Sequence, residues 1–150
     1  MDLELQGRNV VVTGGSDGLG LALAELLAGE GTNVAICGRD EAKLADAEAK
    51  LADLPGRCLA VRCDVTEPAE IEAFAATATE ALGTIHGLVN NAGRASASTL
   101  EATTDEQWEE DFALKVMAAV RLTRSLLPAM GEGASIVNVL AISAKAPGAG

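Results

Sequence analysis

With 150 residues, 49% of them hydrophobic, the chain is long enough to bury a substantial core as one domain. Aromatics are only 2%, so that core is built from Val, Leu, Ile and Ala, and base-stacking surfaces are excluded. A formal charge of −11 with no visible basic patch excludes nucleic acid as a partner, leaving a small molecule or another copy of the chain.

The first strand is the apolar run Asn9-Val10-Val11-Val12, and it turns directly into a helix through Thr13-Gly14-Gly15-Ser16-Asp17-Gly18-Leu19-Gly20. Gly14 lets the chain leave the strand tightly, Gly18 lets a ligand approach bare backbone, and Gly20 lets the helix pack closely on the strand. The first-turn N–H groups, with the helix dipole, suit a pyrophosphate, worth roughly 1 kcal/mol per charge before hydrogen bonds. Gly14, Ser16, Asp17, Gly18, Leu19 and Gly20 are therefore candidate cofactor-binding residues. In the helix, Leu19, Leu23, Leu26 and Leu27 form a stripe expected to face the sheet.

A second strand over Asn33–Gly38 completes a right-handed crossover. A helix comes next over residues 40–54, stopped by Pro55-Gly56, then a strand over residues 58–63. The next helix, Pro68–Leu82, gathers Ile71, Phe74, Ala75, Ala78 and Leu82 on one face. A strand at residues 87–90, a long helix from Thr104-Asp105 to Met130 and a strand at residues 135–140 complete the pattern. Strands alternating with helices predict an α/β fold with a parallel sheet covered on both faces. No linker marks a second domain.

Cys37, Cys58 and Cys63 lie in or beside predicted buried strands and read as reduced core residues. Zinc spacing is absent and His86 is the single histidine, so no metal site is expected. Without a signal peptide or a membrane-length apolar run, the chain is expected in the cytoplasm and off the membrane.

The Thr-Gly-x-x-x-Gly-x-Gly spacing at Thr13 to Gly20 resembles that of the short-chain dehydrogenase/reductase family. Cys63-Asp64-Val65 resembles the family's Asp-Val after the third strand, which implies that Asp64 accepts from an adenine amino group. Asn90-Asn91-Ala92-Gly93 is similar to the Asn-Asn-Ala-Gly whose backbone lies against the cofactor ribose, and Ile136-Val137-Asn138-Val139 resembles the fifth strand. These matches add Asp64, Val65, Asn91, Ala92 and Gly93 to the candidate cofactor residues. Each stands at the carboxyl end of a predicted strand, where an open doubly wound sheet binds ligands. For Asp64 the competing reading is a helix cap or turn former, and for Asn90 and Asn91 a turn pair satisfying backbone. The resemblance implies a Rossmann-like doubly wound sheet in the order 3-2-1-4-5, spanning residues 1–150 and incomplete at its carboxyl end.

Cofactor preference turns on Gly38-Arg39-Asp40. An acidic side chain there would hold a ribose 2′-hydroxyl, whereas a guanidinium pairs a 2′-phosphate, so Arg39 favours NADP(H) over NAD(H). Asp17 opposes this, since relatives preferring the phosphate often carry a basic residue at that place.

The catalytic pattern departs from the family. Its Ser position is Ala141, with Ser143 about 7 Å further along an extended chain. Its Asn position is Lys115, at the centre of a stripe of Trp108, Phe112, Ala119, Leu122 and Leu126. That lysine either snorkels to water or a neighbouring subunit, or is a desolvated amine with a lowered pKa or a fixed cation beside the nicotinamide site. The family's Tyr and Lys would come after Gly150, and the chain holds no tyrosine, so no catalytic residue is assigned. The last two strands of the family would also be missing, leaving the fifth strand as an edge.

The leading expectation is an NAD(P)-dependent oxidoreductase transferring hydride between nicotinamide and a carbonyl or alcohol substrate. The alternative is a non-catalytic nucleotide-binding or regulatory module with a degenerate active site. An S-adenosylmethionine-dependent methyltransferase is disfavoured, because Thr13 and Arg39 stand where acidic residues are wanted. An apolar face on the Trp108 to Met130 helix fits the family's helix-bundle dimers, so a homo-oligomer is expected.

Overall fold

The computed structural model describes residues 3–95 and 99–141. Five parallel strands, β1 (Asn9–Thr13), β2 (Asn33–Gly38), β3 (Cys58–Arg62), β4 (Ile85–Asn90) and β5 (Met130–Asn138), lie in the order β3-β2-β1-β4-β5. This is the α/β doubly wound order expected from the sequence. Alternation along the strands divides the core between the two faces. Val10, Val12, Val34 and Ile36 pack under α1 (Gly18–Gly29) and α2 (Glu41–Leu51). Val11, Ala35, Cys37 and Leu88 pack under α3 (Pro68–Leu82) and a helix near the chain's end. Phe74, Ile36, Leu51 and Ile71 are almost wholly buried, each contributing about 1.5–3 kcal/mol of transfer free energy.

At the amino ends of the strands, Asn9 ties three elements together. Its Nδ2 donates to the carbonyls of Leu82 (2.7 Å) and Thr84 (2.8 Å), while its Oδ1 accepts from Asn33 Nδ2 at 2.9 Å. Its backbone N–H donates to His86 Nδ1 at 3.0 Å, which places the single histidine at the end of the sheet opposite the strands' carboxyl ends.

Three sequence expectations are corrected. The buried stripe of α1 is Gly20, Ala24 and Ala28; Leu19 and Leu26 are 67% and 71% exposed. Small residues let the helix axis come close to the sheet, and the leucines are pushed to the flanks, with Leu23 and Leu27 only partly buried. Second, α2 stops at Leu51, because Gly56 N–H bonds Ala28 O at 2.9 Å and draws the intervening turn against the end of α1.

Third, the long helix is broken. α4 (Asp105–Phe112), opened by a Thr104/Gln107 capping box, runs into a π-helical turn at Ala113–Met117, then α5 (Ala118–Leu126) and a short 3₁₀ turn at Leu127–Ala129. The π turn rotates the faces of α4 relative to those of α5. Trp108 and Phe112 are therefore 55% and 56% exposed, while Ala118, Leu122 and Leu126 face the core. β5 consequently begins at Met130, five residues before the apolar run, and its register slips between Ile85 and Gly87 of β4. As the edge strand it is largely exposed, including Ile136 and Val137, and Val139 just beyond it is exposed too. Among the described residues no helix is long and apolar enough to cross a membrane.

Candidate functional site

The site grows from the point where β1 ends. Thr13 is buried, and its hydroxyl accepts from the backbone N–H groups of Asn91 (3.0 Å) and Ala92 (2.9 Å). Asn91 returns the bond: its Nδ2 donates to Thr13 O at 3.0 Å and Gly14 O at 3.4 Å. The glycine-rich turn and the Asn-Asn-Ala-Gly loop are thus bolted together across β1 and β4. Gly14 has φ +65°, and an added Cβ would stand 3.0 Å from Ala92 Cα. Gly18 has φ +53°, and a Cβ there would meet nothing within 4 Å, so its bare backbone opens into space.

Asp17 caps α1, its carboxylate accepting from Gly18 N–H at 2.7 Å. Leu21 N–H bonds Asp17 O, so the helix itself gives the N–H groups of Leu19 and Gly20 no acceptor, and these carry the positive end of the dipole.

These loops, with those after β2 and β3, enclose a cavity of about 670 Å³. Its walls contain Gly14, Ser16, Asp17, Gly18, Leu19, Arg39, Asp64, Val65, Asn91, Ala92 and Gly93, every sequence-named candidate except Gly20. Gly20 lies behind the turn: a Cβ there would be 2.2 Å from Gly14 O and 2.5 Å from Asn91 Nδ2. Its role is close packing. The walls also include Gly38 and Asp40, which flank Arg39, and Cys37, Lys43, Cys63, Arg94 and Leu114, which the sequence alone does not single out as site residues. A more open depression of about 740 Å³ between α3 and the end of α5 is walled largely by alanine and glutamate side chains.

The charged groups are paired with each other. Asp64 Oδ1 accepts from both the N–H (2.9 Å) and the hydroxyl (2.7 Å) of Thr66, and its Oδ2 lies 3.6 Å from Arg39 Nη1. It is therefore a turn former as well as a cavity wall. Partial burial pushes its pKa up, but the Thr66 hydrogen bonds and the Arg39 guanidinium outweigh this and hold it below the usual carboxylate range. Lys43 Nζ reaches Asp17 Oδ2 at 2.5 Å. That bond, then the Gly18 N–H, lowers the Asp17 pKa, and the same ion pair raises that of Lys43. Arg94 pairs with Glu110 at 3.0 Å. Cys37 is buried and its thiol is pushed well up, first by its hydrogen bond to Cys63 and then by burial, consistent with reduced core cysteines.

At the positions where the family carries its Ser and Asn, this chain carries Ala141 and Lys115. Ala141 is exposed and has no hydroxyl; Ser143 lies outside the described residues. Lys115 is 41% exposed and pairs with Asp111 at 2.5 Å, so the desolvated amine expected as one reading is replaced by a solvated ion pair on the π turn. Asn138 Oδ1 accepts from Asn90 Nδ2 at 2.9 Å, tying β5 to β4. Among the described residues no cluster of His, Cys, Asp and Glu is arranged to hold a metal ion.

A dinucleotide fits this donor set: an anion-attracting helix start, a cradle that a side chain at Gly18 would invade, and a flanking carboxylate and guanidinium. The comparisons agree. A "short chain dehydrogenase" family model matches residues 8–150. An uncharacterized oxidoreductase of Mycobacterium tuberculosis is 33% identical over 144 residues, covering 94% of this chain and 58% of that protein. Among solved structures, L-sorbose reductase from Gluconobacter frateurii, complexed with NADPH and L-sorbose, superposes with a TM-score of 0.92 at 35% identity, covering 98% of this chain and 57% of that one. A short chain dehydrogenase/reductase from Burkholderia phymatum in complex with NAD gives a TM-score of 0.88 at 33% identity, covering 94% and 51%. The chain spans little more than half the length of the relatives it matches. On this match, and with the fold and loops described, the chain belongs to the short-chain dehydrogenase family.

Proposed function

We propose that this chain is the cofactor-binding part of an NAD(P)-dependent oxidoreductase acting on a carbonyl or alcohol. The observation that carries the reading is the convergence of three loops, after β1, β3 and β4, on one cavity entered by the amino end of α1. The N–H of Leu19, at the open start of α1, takes the pyrophosphate, with Gly14, Ser16 and Gly18 giving it room. Asp64 and Val65 flank the adenine, and Asn91, Ala92 and Gly93 line the path of the second ribose. Arg39 favours a 2′-phosphate, so NADP(H) is preferred to NAD(H); L-sorbose reductase, a relative of this fold, was crystallised with NADPH. When bound, the nicotinamide supplies the hydride donor or acceptor. This chain's part is to bind and orient it.

Calorimetric titration with NADP⁺ and NAD⁺ tests the reading. Binding of either, lost in Gly18→Val, supports it; no heat with either nucleotide refutes it. Arg39→Asp swings preference toward NAD⁺, and equal binding of both nucleotides before and after the change removes Arg39 from the site. The same reading includes a homo-oligomer, supported by the exposed apolar residues Trp108, Phe112, Val116 and Val120 spaced four apart along α4, the π turn and α5. Sedimentation of the wild type and of Trp108→Glu checks it: a monomer in both cases removes that part.

A further inference from the structure

The connection from β2 into the first turn of α2 carries two cations, Arg39 and Lys43. Asp40 caps α2, accepting from Lys43 N–H at 3.1 Å, and this fixes the first turn of the helix so that the Lys43 side chain leaves toward the cavity. Its ammonium then crosses to Asp17, the cap of α1. Two helix amino ends therefore meet at one corner of the cavity, both capped by aspartates, with Arg39 standing between β2 and α2. Around that corner three carboxylates, Asp17, Asp40 and Asp64, face two cations, Arg39 and Lys43. Each cation already has a carboxylate partner. The pairs are solvated, with Arg39 65% and Lys43 53% exposed, so either head group can be redirected at little cost. A nucleotide without a 2′-phosphate leaves both pairs as they are. A 2′-phosphate, a dianion with three acceptor oxygens, competes for both cations and must outdo the carboxylates that hold them.

We propose that Lys43 is the second cation of the 2′-phosphate site and that Asp17, by holding Lys43, sets how strongly this chain discriminates NADP(H) from NAD(H). The inference rests on the nucleotide-binding reading above. It accounts for a carboxylate at residue 17 in a chain whose Arg39 favours the phosphate: Asp17 works as the counter-ion of the binding lysine.

The test compares four probes on the same protein: NADP⁺, NAD⁺, and the half-ligands 2′,5′-ADP and 5′-AMP. In Lys43→Met, NADP⁺ and 2′,5′-ADP bind roughly five- to tenfold more weakly while NAD⁺ and 5′-AMP stay within about twofold, and Lys43→Arg restores most of the preference. In Asp17→Asn, which keeps an oxygen to cap Gly18, affinity for 2′,5′-ADP rises roughly three- to tenfold more than affinity for 5′-AMP. If Lys43→Met shifts all four probes by one factor, or none of them, while the wild type binds NAD⁺, the proposal is overturned and the nucleotide-binding reading survives. A uniform gain in Asp17→Asn overturns the role given to Asp17, since its charge then acts on the pyrophosphate alone. A wild type that binds none of the four removes both readings together.

Discussion

Gly20 and Gly18 stand two residues apart in one motif, and the structure predicts opposite consequences for them. Helix propensity alone says that Gly20→Ala stabilises the first turn of α1 by up to about 1 kcal/mol. The geometry reverses the sign. The new methyl would stand 2.2 Å from Gly14 O, 2.8 Å from Gly14 C and 2.5 Å from Asn91 Nδ2, and the first two are backbone atoms that cannot swing away. Relief requires α1 to lift from the turn, which costs about 1–3 kcal/mol of overpacking strain, and it strips Asn91 of its bonds to Thr13 O and Gly14 O at about 1 kcal/mol each. Net of propensity, the loss is about 2–4 kcal/mol, or roughly 4–16 °C in Tm for a chain of this length. Gly18→Ala puts its methyl in open space and costs only the strain of φ +53°, about 1 kcal/mol. Thermal and urea denaturation followed by circular dichroism measure both. A Gly20→Ala protein as stable as wild type, or a Gly18→Ala protein the less stable of the two, would refute the claim that Gly20 packs and Gly18 faces the cavity.

Asn9→Ala strands the Leu82 and Thr84 carbonyls and the Asn33 amide in a largely buried setting, and a loss of about 2–4 kcal/mol is expected from urea midpoints; less than about 1 kcal/mol would mean that water replaces the side chain there. Lys115→Gln breaks an exposed i,i+4 ion pair and shifts stability by no more than about 0.5 kcal/mol. A larger change in either direction would bring back the desolvated amine. Cys58 is pushed up to about 11, first by burial and then by Glu48, so at pH 8 only about one molecule in a thousand carries its thiolate. Its alkylation by iodoacetamide, followed by peptide mass spectrometry, should climb about tenfold per pH unit through pH 10, and a plateau near pH 9 would contradict the shift.

The sequence is most legible where local chemistry and tertiary placement agree. α3 is bounded as expected because Pro68 opens it and Gly83, at φ +76°, closes it, and its apolar face is the face that packs. The Gly-rich turn is legible for the same reason: strand, turn and helix each specify the next. Legibility fails where the periodicity has a hidden break. A π turn leaves no composition signal, so the Trp108 stripe reads across Ala113–Met117 as though the helix were regular, and Lys115 falls on paper in a core it does not enter. In α1 the size of residues matters more than their hydropathy, and glycine and alanine take the sheet side from leucine. Lys43 is invisible for a third reason. A lysine in the first turn of an amphipathic helix reads as solvated, and only the meeting of the α1 and α2 amino ends gives it a partner 26 residues away. The signal available is the pair of aspartates, Asp17 and Asp40, each capping a helix that leaves the carboxyl end of neighbouring strands.

The position of the cavity is set by the connectivity. β1 leads to β2 on one side, whereas the chain returns from β3 across the sheet to β4 on the other, so the loops after β1 and β4 depart toward opposite faces. A gap must open between them, and backbone groups at its floor lose their sheet partners. Thr13 fills that deficit from below: one hydroxyl accepts two N–H groups from the β4 loop, and Asn91 answers the two carbonyls of the β1 turn. The floor of the crevice is thereby satisfied without any ligand, while the N–H of Leu19 at the start of α1 has no acceptor within the helix. Separating the two sets of amides in this way lets one motif hold the sheet together at its switch point and still present an anion site above it.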